Sequence, residues 1–184
     1  MRRVTLADHG RVAAKLKAKP HGDRVEVCIA DFGRDRLGEN FSLVFVAFNT
    51  FFGLAEQSLQ VDCFANVASA LAPGGRFVME AFVPDLRRFD RGQRTDTRAI
   101  AVQQVTINSA IHDPVNQRVD SMHTIVRPDG IAMYPVVIRY AWPPELDLMG
   151  RLAGLDLEDR WGGWNRQPFT ATSAQHVSAW RQPI

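Results

Sequence analysis

The segment that decides the fold runs from Phe41 to Pro84 and reads FSLVFVAFNTFFGLAEQSLQVDCFANVASALAPGGRFVMEAFVP. It begins with a nearly unbroken apolar run up to Phe48, and continuous hydrophobicity is typical of a strand covered on both faces, as in a parallel sheet. Apolar residues then recur at helical spacing from Val61 to Leu71. Pro73-Gly74-Gly75 is expected to end that helix, because proline cannot continue it and glycine accepts a positive φ. Arg76 to Phe82 is predicted to be a second buried strand.

The residues before this segment continue the alternation of strands and helices. Val4 to Ala7 and Val25 to Ile29 are short apolar runs that predict strands. Between them, apolar residues on one face predict a helix that starts after Asp8 and ends near Lys19. Strands that alternate with helices in this way indicate an α/β sheet with right-handed crossovers.

The residues after Pro84 have a different character. Asp85 to Arg98 contains five arginines, which would suit a basic binding patch, but three aspartates interleave with them and offset much of the charge. A solvated loop is therefore the favoured interpretation. Beyond it, alternating apolar segments with turn signals between them predict an antiparallel meander, inserted in the parallel sheet or packed beside it. The three predicted strands of this meander are 102–111, 118–126 and 131–140.

The C-terminal part of the chain predicts one helix and two strands. Pro143-Pro144 is tolerated in the first turn of a helix, which is expected to run through Leu152. Residues 155–161 and 176–180 are predicted to form a closing pair of strands.

Composition limits the class of protein. The 184 residues suit one domain with one core, and no apolar run approaches the roughly 18 residues that a membrane span needs. A net charge of +2 does not indicate nucleic acid as a partner. Cys28 and Cys63 lie in apolar surroundings, without cysteine or histidine at metal-ligand spacing, and predict reduced thiols in a cytoplasmic protein. Neither a metal site nor a signal peptide is predicted.

Two parts of the sequence resemble a known protein family. The run FSLVFVAFNT, an amphipathic helix and then LAPGGRFV at residues 71–78 resemble the fourth strand, following helix and fifth strand of class I S-adenosylmethionine (SAM) dependent methyltransferases. The closing strands, joined by a loop that contains Gly162-Gly163-Trp164, resemble the antiparallel pair at the end of the sheet in that family.

This resemblance implies a Rossmann-like, mostly parallel α/β sheet, with the meander as a lid and the C-terminal strands as an antiparallel pair. Residues 1–184 would form a single domain, with an α/β core at 1–84, a loop and meander at 85–142, and a helix and strand pair at 143–184. It further implies SAM as the cofactor and in-line methyl transfer to oxygen, nitrogen or carbon of a small molecule. Such catalysis works mostly by proximity and orientation, so no catalytic residue is assigned.

The resemblance also assigns five residues to the cofactor. Asp8 corresponds to an acidic residue that accepts hydrogen bonds from both ribose hydroxyls, and it would equally cap the helix that follows it. Asp31 corresponds to an acceptor for the adenine amino group and Phe32 to an apolar side chain on the ring. The alternative is that Asp31 satisfies backbone donors in its own loop. Asn49 and Thr50 would line the methionine end of SAM or the substrate mouth, or else form a polar turn at a helix start.

Three polar side chains on the meander are weaker candidates. If the meander is a lid, His112, His123 and Tyr134 would face the substrate, and one of them would be placed to act as a base. A single histidine on a strand is more often a surface residue or one with its hydrogen bonds satisfied inside the fold, and that interpretation is favoured here.

The glycine-rich cofactor loop of the family is not found in the sequence. Thirteen glycines are present, but none forms a Gly-x-Gly pattern, which lets the backbone approach the cofactor closely. The chain is therefore predicted to begin after the family's first strand, a central strand that would lie between 4–7 and 41–48. Unpaired edges at that place would be costly. We expect these two strands to pair directly, or a second chain to supply a strand.

Two alternatives to an active enzyme follow from that expectation. The chain would be a truncated, non-catalytic remnant of a methyltransferase, or a binding module that forms a homodimer through exposed sheet edges. The sequence does not name the methyl acceptor.

Overall fold

A computed structural model describes residues 30–184 of the chain. The strands predicted at 4–7 and 25–29, the helix between them, and with them Asp8 and Cys28, lie outside the described residues. No helix in the described part is long and apolar enough to cross a membrane. In chain order the strands and α-helices are β1 (Phe41–Val46), α1 (Gln57–Ala70), β2 (Leu71–Phe82), β3 (Gln93–Ala101), β4 (Gln104–Asp113), β5 (Arg118–Arg127), β6 (Gly130–Arg139), α2 (Pro143–Leu152), β7 (Asp156–Trp161) and β8 (Gln175–Arg181).

The first sheet contains four strands in the order β1-β2-β8-β7. β1 and β2 are parallel and are connected through α1, whereas β8 is antiparallel to both β2 and β7. The strand–helix–strand unit predicted from residues 41–84 is therefore confirmed. The closing antiparallel pair and the helix that begins at Pro143-Pro144 are confirmed as well.

The Pro-Gly-Gly sequence does not end the helix, contrary to the prediction. α1 ends at Ala70, and Leu71 already has extended backbone angles, φ −75° and ψ 141°. β2 starts there and contains an irregularity, since Phe41 pairs with Leu71 while Leu43 pairs with Arg76. A Cβ on Gly75 would lie 2.8 Å from the carbonyl oxygen of Phe41. The glycine is needed for this close approach of two strands rather than for a helix cap.

β1 is covered on one face only within the described part of the chain. Val44 and Val46 pack against the core, whereas Leu43 and Phe45 are 52% and 64% exposed. Within residues 30–184, α1 and α2 pack on the side of the two valines, and no described segment covers the other face. The helix predicted before this strand lies outside the described residues, so burial of the second face stays a prediction. A continuous apolar run shows that both faces of a strand can be buried, but it does not identify the element that covers the second face.

The core between the sheet and the two helices is rich in aromatic rings. Phe64 of α1 contacts Phe77 of β2 and Trp180 of β8 edge-on, with both ring centroids 5.2 Å away. Each such pair contributes about 0.5–1.5 kcal/mol beyond the area that it buries. Cys63 is buried beside them and forms no disulfide, so the predicted buried thiol is confirmed at this position, and burial raises the pKa of the thiol to about 12.

Strands β3 to β6 form a second, separate antiparallel sheet, here called the lid sheet (residues 93–139). The meander prediction is confirmed for β4, β5 and β6 but missed β3, which occupies part of the predicted charged loop at 85–98. Its sequence, QRTDTRAIA, has no apolar alternation over most of its length. These residues form a strand because they pair with β4, and not because their own propensity for β structure is high. Val102, predicted to begin a strand, is fully exposed in the turn that follows β3.

Candidate functional site

Two hydrogen bonds hold the carboxyl ends of β1 and β2 together. The backbone N–H of Phe48 donates to Oε2 of Glu80 at 2.8 Å, and the backbone N–H of Phe82 donates to Oδ1 of Asn49 at 2.7 Å. Phe48 and Asn49 both have positive φ values, 57° and 60°. Residues 48–50, here called the edge turn, are exposed. The carboxyl ends of strands are where open α/β sheets bind their ligands.

A short 3-10 helix begins at the last residue of the edge turn and anchors it. This helix, Thr50–Gly53, contains Phe51 and Phe52, which are completely buried. Phe52 contacts Phe82 of β2 edge-on at a centroid distance of 4.9 Å. The edge turn is therefore fixed on both sides, by polar contacts before the helix and by apolar packing within it.

The Asp31 loop lies against the end of this 3-10 helix. A Cβ on Gly33 would come within 2.9 Å of Leu54, which directly follows the helix, and Asn66 of α1 donates from Nδ2 to the carbonyl of Gly33 at 3.1 Å. Asp31 accepts a hydrogen bond from the backbone N–H of Gly33 at 3.1 Å. The structure thus brings Asp31 next to the segment that begins at Thr50.

The predicted cofactor residues have partners within the fold. Asp31 satisfies a backbone donor of its own loop, as the alternative interpretation expected, and its second oxygen lies 3.4 Å from Arg34. Phe32 is half-buried and packs against the core. Asn49 joins two strand ends, and Thr50 is exposed. The edge turn presents the amide of Asn49, the hydroxyl of Thr50 and the exposed ring of Phe48. The carboxylate of Asp31 beside it is 19% exposed, and these groups together fit a nucleoside cofactor at this edge of the sheet.

A row of polar side chains crosses one face of the lid sheet. Asn108 pairs with His123, and His123 pairs with Tyr134, so the three lie side by side on β4, β5 and β6. Oδ1 of Asn108 is buried and has no hydrogen-bond partner within residues 30–184. A buried acceptor without a partner is costly, which makes this row a candidate ligand contact.

His112 lies on the same face, nearer the α/β body, and its hydrogen bonds are satisfied there. Its Nε2 is 2.9 Å from the hydroxyl of Tyr140, and its ring stacks on Phe89 at a centroid distance of 4.8 Å. Burial raises the pKa of the Tyr140 phenol. Of the three meander candidates, His112 is therefore a histidine whose side chain is hydrogen-bonded inside the fold, as the favoured interpretation predicted.

The opposite face of the lid sheet borders an open cleft of about 620 Å³. Its walls are the turn between β4 and β5 and the residues that precede α1, and Arg139 of β6 lies at its base. The lining is mostly polar, with Glu56, Asp113 and Arg118 among its residues. No sequence pattern predicted this cleft, because its walls come from segments far apart in the chain. No group of three or more acidic, cysteine or histidine side chains suited to a metal ion occurs in the described part of the chain.

Glu80 contacts the edge turn and was not among the predicted site residues. It lies within the predicted strand at 76–82, and its partner Phe48 is 32 residues away in the chain. An acidic residue inside an apolar strand is the only sequence signal for it, and that signal does not name a partner.

Comparison with known proteins gives the family. No family model matches the sequence. The solved structure of the CcbJ methyltransferase from Streptomyces caelestis is 34% identical, with a TM-score of 0.90, over 97% of this chain and 76% of that one. The chain belongs to the class I SAM-dependent methyltransferases.

Two further relatives of this methyltransferase agree with that assignment. The cypemycin N-terminal methyltransferase of a Streptomyces species is 25% identical over 175 residues, 94% of this chain and 71% of the relative. A SAM-dependent methyltransferase from Clostridium acetobutylicum has a TM-score of 0.80 over 100% of this chain and 73% of that one; at 10% identity the likeness concerns the fold alone. The resemblance found at LAPGGRFV is therefore confirmed, with SAM as the cofactor of the family. The absence of the first strand stays a prediction.

Proposed function

We propose that this methyltransferase transfers a methyl group from SAM to an amine nitrogen of a small molecule. The observation that carries the proposal is the exposed edge turn at the carboxyl ends of β1 and β2, with the Asp31 loop beside the segment that follows it. The amine is supported by the relative that is named an N-terminal methyltransferase. When bound, SAM supplies a methyl group on a positively charged sulfur, and its transfer leaves a neutral thioether.

The cofactor would lie along the carboxyl edge. In this proposal Asp31 accepts a hydrogen bond from the adenine amino group through the oxygen that Gly33 does not use, and Phe32 lies near the ring. Asn49 and Thr50 line the methionine end, and Asp8 binds the ribose hydroxyls.

The acceptor substrate would lie under the lid sheet, against the row formed by Asn108, His123 and Tyr134. The unpartnered Oδ1 of Asn108 suits an N–H donor, such as a primary or secondary amine. A neutral amine attacks through its own lone pair, so the rate depends mainly on its position relative to the methyl group and a dedicated base is not required.

Calorimetry with SAM, followed by a methyl-transfer assay on a panel of small amines, tests the proposal. We expect saturable heat with SAM and product formation with at least one amine. No heat at millimolar SAM would contradict it. Product formation only with alcohols or phenols would retain the methyltransferase and overturn the amine.

A second candidate is a non-catalytic module that dimerises through β1. Among the described residues β1 has one hydrogen-bonded neighbour, β2, and its side chains Leu43 and Phe45 are more than half exposed. An open edge of this kind can pair with another chain. Size-exclusion chromatography with light scattering distinguishes the two candidates, since a monomer that binds SAM supports the enzyme and a dimer that does not bind SAM supports the module.

A further inference from the structure

Phe48 is a large aromatic residue that the fold does not bury. It follows β1 almost directly, in the edge turn, and it is 86% exposed. Its φ of 57° lies in the left-handed region, which is unfavourable for a bulky side chain. Backbone strain of this kind persists only where the surroundings enforce it, and such positions cluster at ligand sites.

Glu80 and Asn49 enforce the strained conformation. The carboxylate of Glu80 accepts the backbone N–H of Phe48 itself, at 2.8 Å, and an ionised acceptor makes a stronger hydrogen bond than a neutral one. Asn49 fixes the next residue to β2 through the backbone N–H of Phe82, at 2.7 Å. The two contacts hold consecutive residues at positive φ, so the Phe48 ring stays outside the core.

We infer that Phe48 is an aromatic contact for the positively charged sulfonium of SAM, and that Glu80 positions it. The inference rests on the proposed function, which places Asn49 and Thr50 at the methionine end of the cofactor, and Phe48 is the residue immediately before them. Aromatic faces attract onium cations. The thioether product, S-adenosylhomocysteine, has no charge on its sulfur, so the ring favours the cofactor over the product and helps the product to leave.

Binding of the two ligands to matched variants tests this role without a turnover assay. Calorimetry is performed with SAM and with S-adenosylhomocysteine on the wild type, Phe48→Leu, Phe48→Trp and Phe45→Leu. We expect Phe48→Leu to weaken SAM about fivefold and S-adenosylhomocysteine less than about twofold. Phe48→Trp should retain the preference, because an indole face attracts cations at least as well. Phe45→Leu, which removes an exposed ring within β1 rather than in the edge turn, should change neither affinity.

Glu80 is tested in the same experiment. Glu80→Ala should reduce the preference for SAM, and Glu80→Gln, which keeps an acceptor for the Phe48 N–H, should restore most of it. A purely structural role of Glu80 would lower the melting temperature and weaken both ligands equally, and that result would overturn its assignment. Equal weakening of both ligands by Phe48→Leu, or no change at all, would overturn the inference for Phe48. If the wild type bound neither ligand, the proposed function would fail and the inference with it.

Discussion

Arg139 and Gln60 exchange two hydrogen bonds inside the protein. Nη1 of Arg139 donates to Oε1 of Gln60 at 2.7 Å, and Nε2 of Gln60 donates to the Arg139 carbonyl at 2.7 Å. The residues are 5% and 0% exposed. Because Arg139 ends β6 and Gln60 lies in α1, this pair fastens the lid sheet to the α/β body. Glu145 of α2 completes the contact, with Oε1 at 2.7 Å from Nη2 of Arg139.

Arg139→Met tests this attachment. The change keeps much of the volume but leaves the carboxylate of Glu145 and Oε1 of Gln60 without their main donor. Removing one partner of a buried pair is strongly destabilising, and we expect a loss of about 3 kcal/mol in the free energy of unfolding by urea titration. Arg118→Met breaks the exposed ion pair with Asp120 and serves as the control, with no measurable effect expected. Equal stability of the two variants would contradict the proposed attachment.

Glu145 links the same network to pH. Burial opposes its ionisation, but hydrogen bonds from Gln117, Arg139 and Gln57 outweigh that effect and lower the pKa of Glu145 below its usual 4.5. A carboxylate whose folded pKa is depressed stabilises the fold above the unfolded pKa, and this stability is lost as the pH falls below about 4.5. We expect Glu145→Gln to flatten the fall in stability between pH 5 and about 3, measured by thermal melts over this range.

His176 makes the stability of the fold depend on pH in a higher range than Glu145 does. It is completely buried on β8, and its Nδ1 is 2.8 Å from Oγ of Ser178. Burial, followed by the positive charge of Arg160, lowers the pKa of His176 from 6.5 to about 4, with Asp147 acting in the opposite direction. The unfolded chain therefore binds a proton more readily than the folded one. Stability is fully present above pH 6.5 and decreases toward pH 4, by up to roughly 3 kcal/mol.

His176→Leu should remove this slope. We expect wild type and variant to differ in the change of unfolding free energy between pH 7.5 and 4.5, measured by denaturant titration, with the wild type losing more. Ser178→Ala retains the imidazole and should keep the slope, whatever its effect on stability at neutral pH. If His176→Leu and the wild type had parallel pH profiles, the buried neutral histidine would be contradicted.

Local patterns predicted the elements well but could not predict which residues meet. The strand–helix–strand unit at 41–84 and the closing strands were predicted correctly because apolar spacing is a local signal, although the second strand already starts at Leu71 and Pro-Gly-Gly does not end the helix. β3 was missed because QRTDTRAIA becomes a strand only through pairing with β4. The contacts of Asn49 with Phe82 and of Arg139 with Gln60 span 33 and 79 residues of chain, and no spacing rule encodes them. Of the site residues carried over by resemblance, Asp31, Asn49 and Thr50 lie near one edge of the sheet and Asp8 lies outside the described residues, while all ligand contacts stay predictions.

Gly150→Ala separates packing from helix propensity. In an exposed helix this change would stabilise by about 1 kcal/mol. Here the added Cβ would lie 2.9 Å from both Cδ1 and Nε1 of the Trp180 indole, which is completely buried. We expect a net destabilisation of about 1–3 kcal/mol in a thermal or urea melt. Trp180→Phe makes room for the methyl group, so the double variant should be less unstable than the sum of the single changes. If Gly150→Ala were more stable than the wild type, the prediction would be contradicted, because the Trp180 indole would have moved to make room for the methyl group.

Asp31→Asn tests the proposed adenine contact while it keeps the loop intact. The asparagine retains an Oδ1 acceptor for the backbone N–H of Gly33, but the second oxygen becomes an NH₂ group that cannot accept from the adenine amino group. We expect the affinity for SAM to fall about tenfold in calorimetry, the loss typical for a hydrogen bond to a charged group. Glu39→Gln is the matched control, because it removes a nearby exposed carboxylate that pairs with Arg36, and it should leave SAM binding unchanged. If the two variants bound SAM equally well, with unchanged melting temperatures, Asp31 would be a loop residue that satisfies only its own backbone.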